Sequence, residues 1–153
     1  MPTLSIKAKF FCQNGKIKKI DLAPTQGDLT WEIIADEKNE ALEKTIHAWM
    51  NNYMESRPSK TLLPLALDDI PAYNKKILLE LLEIPFGKTV SYKDLAVKTN
   101  NPRAARAVGN ACGRNPFPLV IPCHRVLKSN GDLGGFAFGT PMKAALLNFE
   151  KQF

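Results

Sequence analysis

A chain of 153 residues suffices for one domain or two small ones, and its 44% hydrophobic and 24% charged content is that of a globular protein. No apolar run nears the roughly 18 residues of a membrane span, and the cysteines, Cys12, Cys112 and Cys123, are too few and scattered for a disulfide framework. The net charge of +6 is uneven: residues 1–65 hold 9 Lys/Arg against 8 Asp/Glu, whereas Lys88–Lys128 holds 8 basic residues and one acid, Asp94, which points to a polyanion.

In chain order, LSIKAKF (Leu4–Phe10) alternates apolar and polar residues. It reads as a strand rather than a signal peptide, so a cytoplasmic setting is expected, nucleoid-associated in a bacterium. Asn14-Gly15 signals a hairpin, KIKKIDLA resumes the strand pattern, and Leu29–Ala35 is a third short strand. Glu37–Glu55 is helix-like, with Leu42, Ile46, Trp49, Met50 and Tyr53 at spacings of three and four. His47, beside that stripe, has no partner motif and reads as a surface or boundary histidine, and Cys12 as a small buried residue. Arg57-Pro58-Ser59-Lys60 is the best linker, dividing an N-terminal α/β domain, 1–62, from a mainly helical C-terminal domain, 63–153. There Tyr73, Ile77, Leu78, Leu81 and Leu82 mark an amphipathic helix that Pro85 and Gly87 end.

Ser91 and Asp94 form an S-x-x-D capping box opening a short helix. Asn101-Pro102 supplies an N-cap and a first-turn proline for a second helix, running to about Cys112 and bounded by Gly113. Two short helices joined by a tight turn make a helix-turn-helix pattern. Ala104, Ala105, Ala107, Gly109 and Ala111 make the second helix slim, while Arg103, Arg106 and Asn110 give it polar reach. Gly109 inside a helix costs roughly 1 kcal/mol relative to alanine, so a packing or docking reason is expected. A slim basic helix fits close helix packing or a minor groove about 6 Å wide.

VIPCHRV, Val120–Val126, leads three apolar residues into Cys123 and His124, which suggests a buried strand ending on reactive groups. Adjacent side chains on a strand face opposite ways, so thiol and imidazole would meet only across a bend or a water. Only His47 and His124 could join the cysteines in a metal site, and no CxxC or HxxxH spacing exists, so neither metal nor cofactor is expected.

From about Leu63 to Glu150 the chain resembles the O6-alkylguanine-DNA alkyltransferases, or methylated-DNA–protein-cysteine methyltransferases. The resemblance lies in IPFGKTVSY, NPRAARAVGNA, NPFPLVIPCHRV, the Gly131 turn, GFAFG and LLNFE. It implies a small ribonuclease H-like sheet-plus-helix domain followed by a winged helix-turn-helix domain. It also implies a monomer that binds duplex DNA through the minor groove, flips out an alkylated base and transfers the alkyl group irreversibly to itself. Cys123 would be the acceptor. His124, acting through water, and Glu150, orienting it, would form the relay, and Tyr92 would contact the guanine. Arg106 would fill the space left by the base, with Arg103, Ala105, Gly109, Asn110 and Arg125 at the DNA. Asn115 would be the hinge, and Val126, Phe136, Ala137 and Phe138 would join it around the substrate pocket, with the carbonyls of Cys123 and Val126 accepting from the guanine amino group.

Two departures stand out. Phe138 replaces a usual glycine and is expected to narrow the pocket or cover it with an apolar lid, disfavouring bulky adducts such as O6-benzylguanine. Ala145 replaces a frequent tryptophan, which predicts a smaller core contact, while residue 143 keeps the expected lysine. Two competing readings are a non-catalytic alkyltransferase-like recognition protein, which would lack a reactive cysteine, and a cysteine hydrolase, which would need an oxyanion hole that nothing in the sequence marks. Cys112 reads as a buried structural thiol.

Overall fold

The computed structural model of the chain describes residues 3–57, 59, 62–101 and 103–151. Pro58 and Lys60 of the expected linker, and Pro102 of the expected helix start, lie outside the described residues. The first strand, β1 (Ile6–Gln13), buries every second residue, as its apolar alternation dictates. Asn14 and Gly15 turn the chain with φ of 54° and 74°, the left-handed pair that a tight hairpin requires. Strand β2 (Lys16–Pro24) returns antiparallel, with a register shift at Phe11/Cys12. Strand β3 (Thr30–Ala35) pairs parallel on the other side, giving the order β2-β1-β3.

Helix α1 (Glu40–Met54) begins three residues later than its periodicity predicts. The Asn39 side chain accepts from Leu42 N–H (3.0 Å) and so sets the start. Its buried stripe is Leu42, Ile46, Met50 and Tyr53. Beyond it come α2 (Ala72–Leu81), β4 (Val90–Ser91), α3 (Tyr92–Lys98), α4 (Ala105–Gly113), β5 (Val126–Leu127) and α5 (Thr140–Lys151). Strands β4 and β5 form a short parallel pair, Val90 opposite Val126. Ser91 caps α3 through Asp94 N–H, as its motif predicts (2.9 Å).

The sheet does not end freely at β2. Ile17 exchanges hydrogen bonds with Pro64 and Ala66, and Ile20 N–H donates to the Pro116 carbonyl (2.8 Å). A single buried apolar cluster accordingly runs from Leu4 and Phe10 in the sheet through Ile77 and Leu81 to Val126 and Phe149. Among the described residues no helix is long and apolar enough to cross a membrane.

The structure differs from the sequence expectations in three places. Val120–Val126 is buried, but it is not a strand: Leu119 has φ of 74°, Cys123–Arg125 is a single 3₁₀ turn, and only Val126–Leu127 pair. Helix α4 starts at Ala105 with Ala104 as its N-cap, not at the Asn101-Pro102 signal. Ala145 is exposed, so a larger residue there would face solvent rather than the core.

Candidate active site

Cys123 enters the site on a turn, its N–H donating to the Ile121 carbonyl (2.8 Å). The residue is 6% exposed and lines a cavity of about 710 Å³. Tyr92 at the start of α3, Ala105, Arg106, Gly109, Cys112 and Gly113 on α4, and Lys128 after β5 form part of the wall. Gly134, Gly135, Phe136 and Ala137, in the loop before α5, form the rest. Of the expected residues, Cys123, Tyr92, Ala105, Arg106, Gly109, Phe136 and Ala137 therefore share one cavity. Arg103, Arg106 and Asn110 are exposed beside it.

Two glycines shape the cavity differently. A Cβ on Gly109 would stand 3.9 Å from the Tyr92 ring, an ordinary contact, so internal packing does not demand glycine there. The space Gly109 leaves belongs to the cavity, which favours the docking explanation for its helix cost. At Gly134, φ is +73° and a Cβ would stand 3.0 Å from the Tyr92 ring, so glycine lets the loop lie against Tyr92 without backbone strain or crowding.

Asn115 ties α4 to the cysteine turn. Its Nδ2 donates to the Ile121 carbonyl (2.9 Å), and its Oδ1 accepts from Phe117 N–H (2.9 Å). Burial pushes the Cys123 thiol up in pKa, while a hydrogen bond from Asn115 and the charge of Lys143 pull it back. Burial, with the nearby Cys112 and Cys123 sulfurs, pushes the Tyr92 phenol up to about 12, so it holds its proton at neutral pH. Cys112 is likewise pushed up to about 12, by burial and then by Cys123. It lines the cavity as an un-ionised thiol.

Behind Cys123 stands a buried polar cluster centred on Glu150. His124 Nε2 and the Tyr53 hydroxyl both donate to Oε2 (2.6 Å each), and Arg125 Nε (2.7 Å) and Gly87 N–H (3.3 Å) donate to Oε1. Burial alone would raise the Glu150 pKa, but His124 and Arg125 overcome it and hold the carboxyl at about 2. Arg125 is always charged, so the carboxylate stays ionised even beside a neutral imidazole. An ionised carboxylate only accepts hydrogen bonds, so Nε2 carries the ring proton. Burial holds His124 below its ordinary pKa against the pull of Glu150, leaving a neutral ring whose Nδ1 is a free base. Among the described residues, that buried Nδ1 has no hydrogen-bond partner.

The remaining expected residues are placed otherwise. Arg125 is buried, with Nη1 on the Ile84 carbonyl (2.8 Å), so its guanidinium serves Glu150 and is not available to DNA. Phe138 does not line the cavity; it packs edge-on against Phe136 with centroids 5.8 Å apart, and so does not narrow the space as expected. Val126 and Asn115 lie behind the wall, and the Val126 carbonyl already accepts from Lys143 Nζ (2.7 Å), keeping one lone pair.

Lys143 and Tyr53 carry more of this site than their sequence context suggests. Lys143 is 0% exposed, and its Nζ also reaches the Gly135 carbonyl (3.2 Å) and the Tyr92 hydroxyl (3.5 Å). In the sequence it is marked by the family resemblance, which expects a lysine at this position near the start of the last helix. Among the described residues no group of three or more His, Cys, Asp or Glu side chains could hold a metal ion.

A family model described as "6-O-methylguanine DNA methyltransferase, DNA binding domain" matches residues 72–152. A mimivirus protein named probable methylated-DNA–protein-cysteine methyltransferase (Acanthamoeba polyphaga mimivirus) is 48% identical over 92 residues, 60% of this chain and 60% of its own length. A Mus musculus methylated-DNA–protein-cysteine methyltransferase is 37% identical over 134 residues, 82% of this chain. The chain thus spans 60% and 62% of the length of these two relatives. Among solved structures, Mycobacterium tuberculosis OGT in complex with DNA superposes with a TM-score of 0.75 at 26% identity, covering 95% of this chain and 93% of that one.

Proposed function

This chain belongs to the 6-O-methylguanine DNA methyltransferase family, and on that premise we propose that it repairs DNA by direct reversal. It moves alkyl groups from guanine O6, and from thymine O4 as a second substrate, to Cys123. The observation that carries the reading is the pairing of a cysteine on a large cavity with a neutral, proton-accepting histidine behind it and exposed arginines beside it. In this reading the thiol proton passes through a water to His124 Nδ1 as the sulfur attacks the saturated carbon. The carbon–O6 bond breaks, its electron pair stays on the base, and Tyr92 supplies the proton that neutralises the leaving guanine. A phenol held near 12 keeps that proton until charge develops on the base, and Lys143, 3.5 Å from its oxygen, stabilises the resulting phenolate. The product is a thioether, which offers water no carbonyl to attack, so each molecule acts once.

The partner is duplex DNA bound through its minor groove by a monomer, in the cytoplasm. Helices α3 and α4 with the β4–β5 pair act as a winged helix-turn-helix, and Arg103, Ala105, Gly109 and Asn110 face the groove. Residues 1–62, a hairpin with one parallel strand and α1, form a reduced ribonuclease H-like domain packed on residues 63–153. A recognition-only role is disfavoured by Cys123 itself and by the base behind it.

Mixing the protein with excess duplex carrying one O6-methylguanine tests the reading. Repair should stop at one lesion per protein molecule, and continued turnover would contradict it. Arg106 fills the vacated base position, so Arg106→Ala should lower the transfer rate from duplex by roughly 10- to 100-fold, a large part of a flipping cost of a few kcal/mol. Its rate with free O6-benzylguanine should stay close to that of the parent. Equal losses on both substrates would make Arg106 structural.

A further inference from the structure

We propose that Tyr53, on α1, is a positioning residue for the proton relay, holding Glu150 and drawing charge from the oxygen that binds His124. The inference rests on the reading that His124 accepts the Cys123 proton. Tyr53 lies 97 positions from Glu150 in sequence, yet its hydroxyl donates to Oε2 at 2.6 Å, inside the core. That same oxygen accepts from His124 Nε2, also at 2.6 Å. Two donors on one carboxylate oxygen compete for its charge, and charge-assisted bonds of this length are strong. Tyr53 therefore weakens Glu150 as a partner for a protonated His124 and favours the neutral ring.

The ring of Tyr53 is held for this task. It stacks on Trp49 one helical turn earlier (5.6 Å, 8°) and on Phe149 of α5 (5.6 Å, 26°), with Phe86 edge-on at 5.5 Å. Being 4% exposed, the hydroxyl is screened from solvent. Burial, followed by the charge of Glu150 and the hydrogen bond to it, pushes the phenol well above its ordinary pKa, so Tyr53 remains a donor throughout the working range. The other groups facing the pair are Arg125 and Gly87 N–H at Oε1, and Lys143 and Arg125, whose charges oppose protonation of His124. None of them is altered by Tyr53→Phe, which removes one oxygen and keeps the aromatic stack. The N-terminal segment thereby gains a function: α1 sets the protonation of a relay built from the C-terminal half.

The sign follows from the geometry. Without the hydroxyl, Oε2 directs more charge to His124, whose pKa rises, and the neutral ring is lost at a higher pH. Tyr53→Phe should therefore move the low-pH limb of the reaction with free O6-benzylguanine upward by roughly half a unit or more. Nitrogen NMR of the full chain should show the His124 titration rising with it, and thermal unfolding would verify that the variant is folded. Because the NMR titration needs no alkyl transfer, it separates the two ideas. If the parent does not react but its His124 titration rises on Tyr53→Phe, the coupling stands and the repair reading fails. An unchanged or lowered His124 pKa in the folded variant overturns the role of Tyr53, whatever the parent's activity.

Discussion

Glu150→Gln slows transfer to Cys123 by roughly 100-fold or more, the range of general acid–base contributions, while binding to undamaged duplex is unchanged. Glu150 accepts from four donors: His124, Tyr53, Arg125 and Gly87. A glutamine offers one acceptor oxygen and turns an NH2 group toward donors, so His124 loses its orientation and Arg125 is left as a buried, uncompensated charge. Breaking such a pair costs about 3–5 kcal/mol. Stability follows pH in a defined direction. A carboxyl at about 2 in the folded chain against an ordinary 4.5 contributes stability that is fully present above the unfolded value and lost as pH falls toward 2. Denaturant unfolding should show the parent's advantage over Glu150→Gln shrinking through this window. A rate unchanged by the substitution would remove Glu150 from the relay.

Lys143→Met has the second large effect. Methionine has similar length, but it cannot donate to the Val126 and Gly135 carbonyls or place a charge near the sulfur. The ammonium is fully buried, and burial pushes its pKa down while the Cys123 and Cys112 sulfurs pull it back up. Each carbonyl left without a donor costs about 1–3 kcal/mol, and the Cys123 thiol loses the cation that favours its ionised form. Thiolate absorbance should titrate at higher pH in the variant, and transfer at neutral pH should fall roughly 10-fold or more, because the sulfur loses the cation that favours its developing negative charge. A lower melting temperature with an unmoved thiol titration would make Lys143 a structural cation only.

The hairpin and α1 were legible because their signals are local: strand alternation, Asn14-Gly15 and a stripe at helical spacing. The chemistry of Cys123 and His124 was legible because they adjoin. Their geometry was not, since an apolar run such as Leu119-Val120-Ile121 announces burial without announcing conformation. Leu119 takes a left-handed φ there and sends the chain into a turn. The resemblance places Arg125 at the DNA, and nothing in its basic segment signals burial. Its partner Glu150 lies 25 positions away, and only tertiary packing closes that ion pair. Tyr53 escaped for the same reason, as nothing near α1 marks a hydrogen bond across 97 positions. The expected role of Phe138 turned on which way a ring points from a glycine-rich loop, which residue type does not decide.

Whether Cys123 is the alkyl acceptor can be read from the mass of the intact protein. The protein is mixed with excess duplex carrying a single O6-methylguanine, and the adduct is then located by peptide mapping. The expected result is a gain of one methyl group, on the peptide containing Cys123 and at that residue alone. Binding to the duplex with no change in mass, or a methyl group found on Cys112 instead, would contradict it.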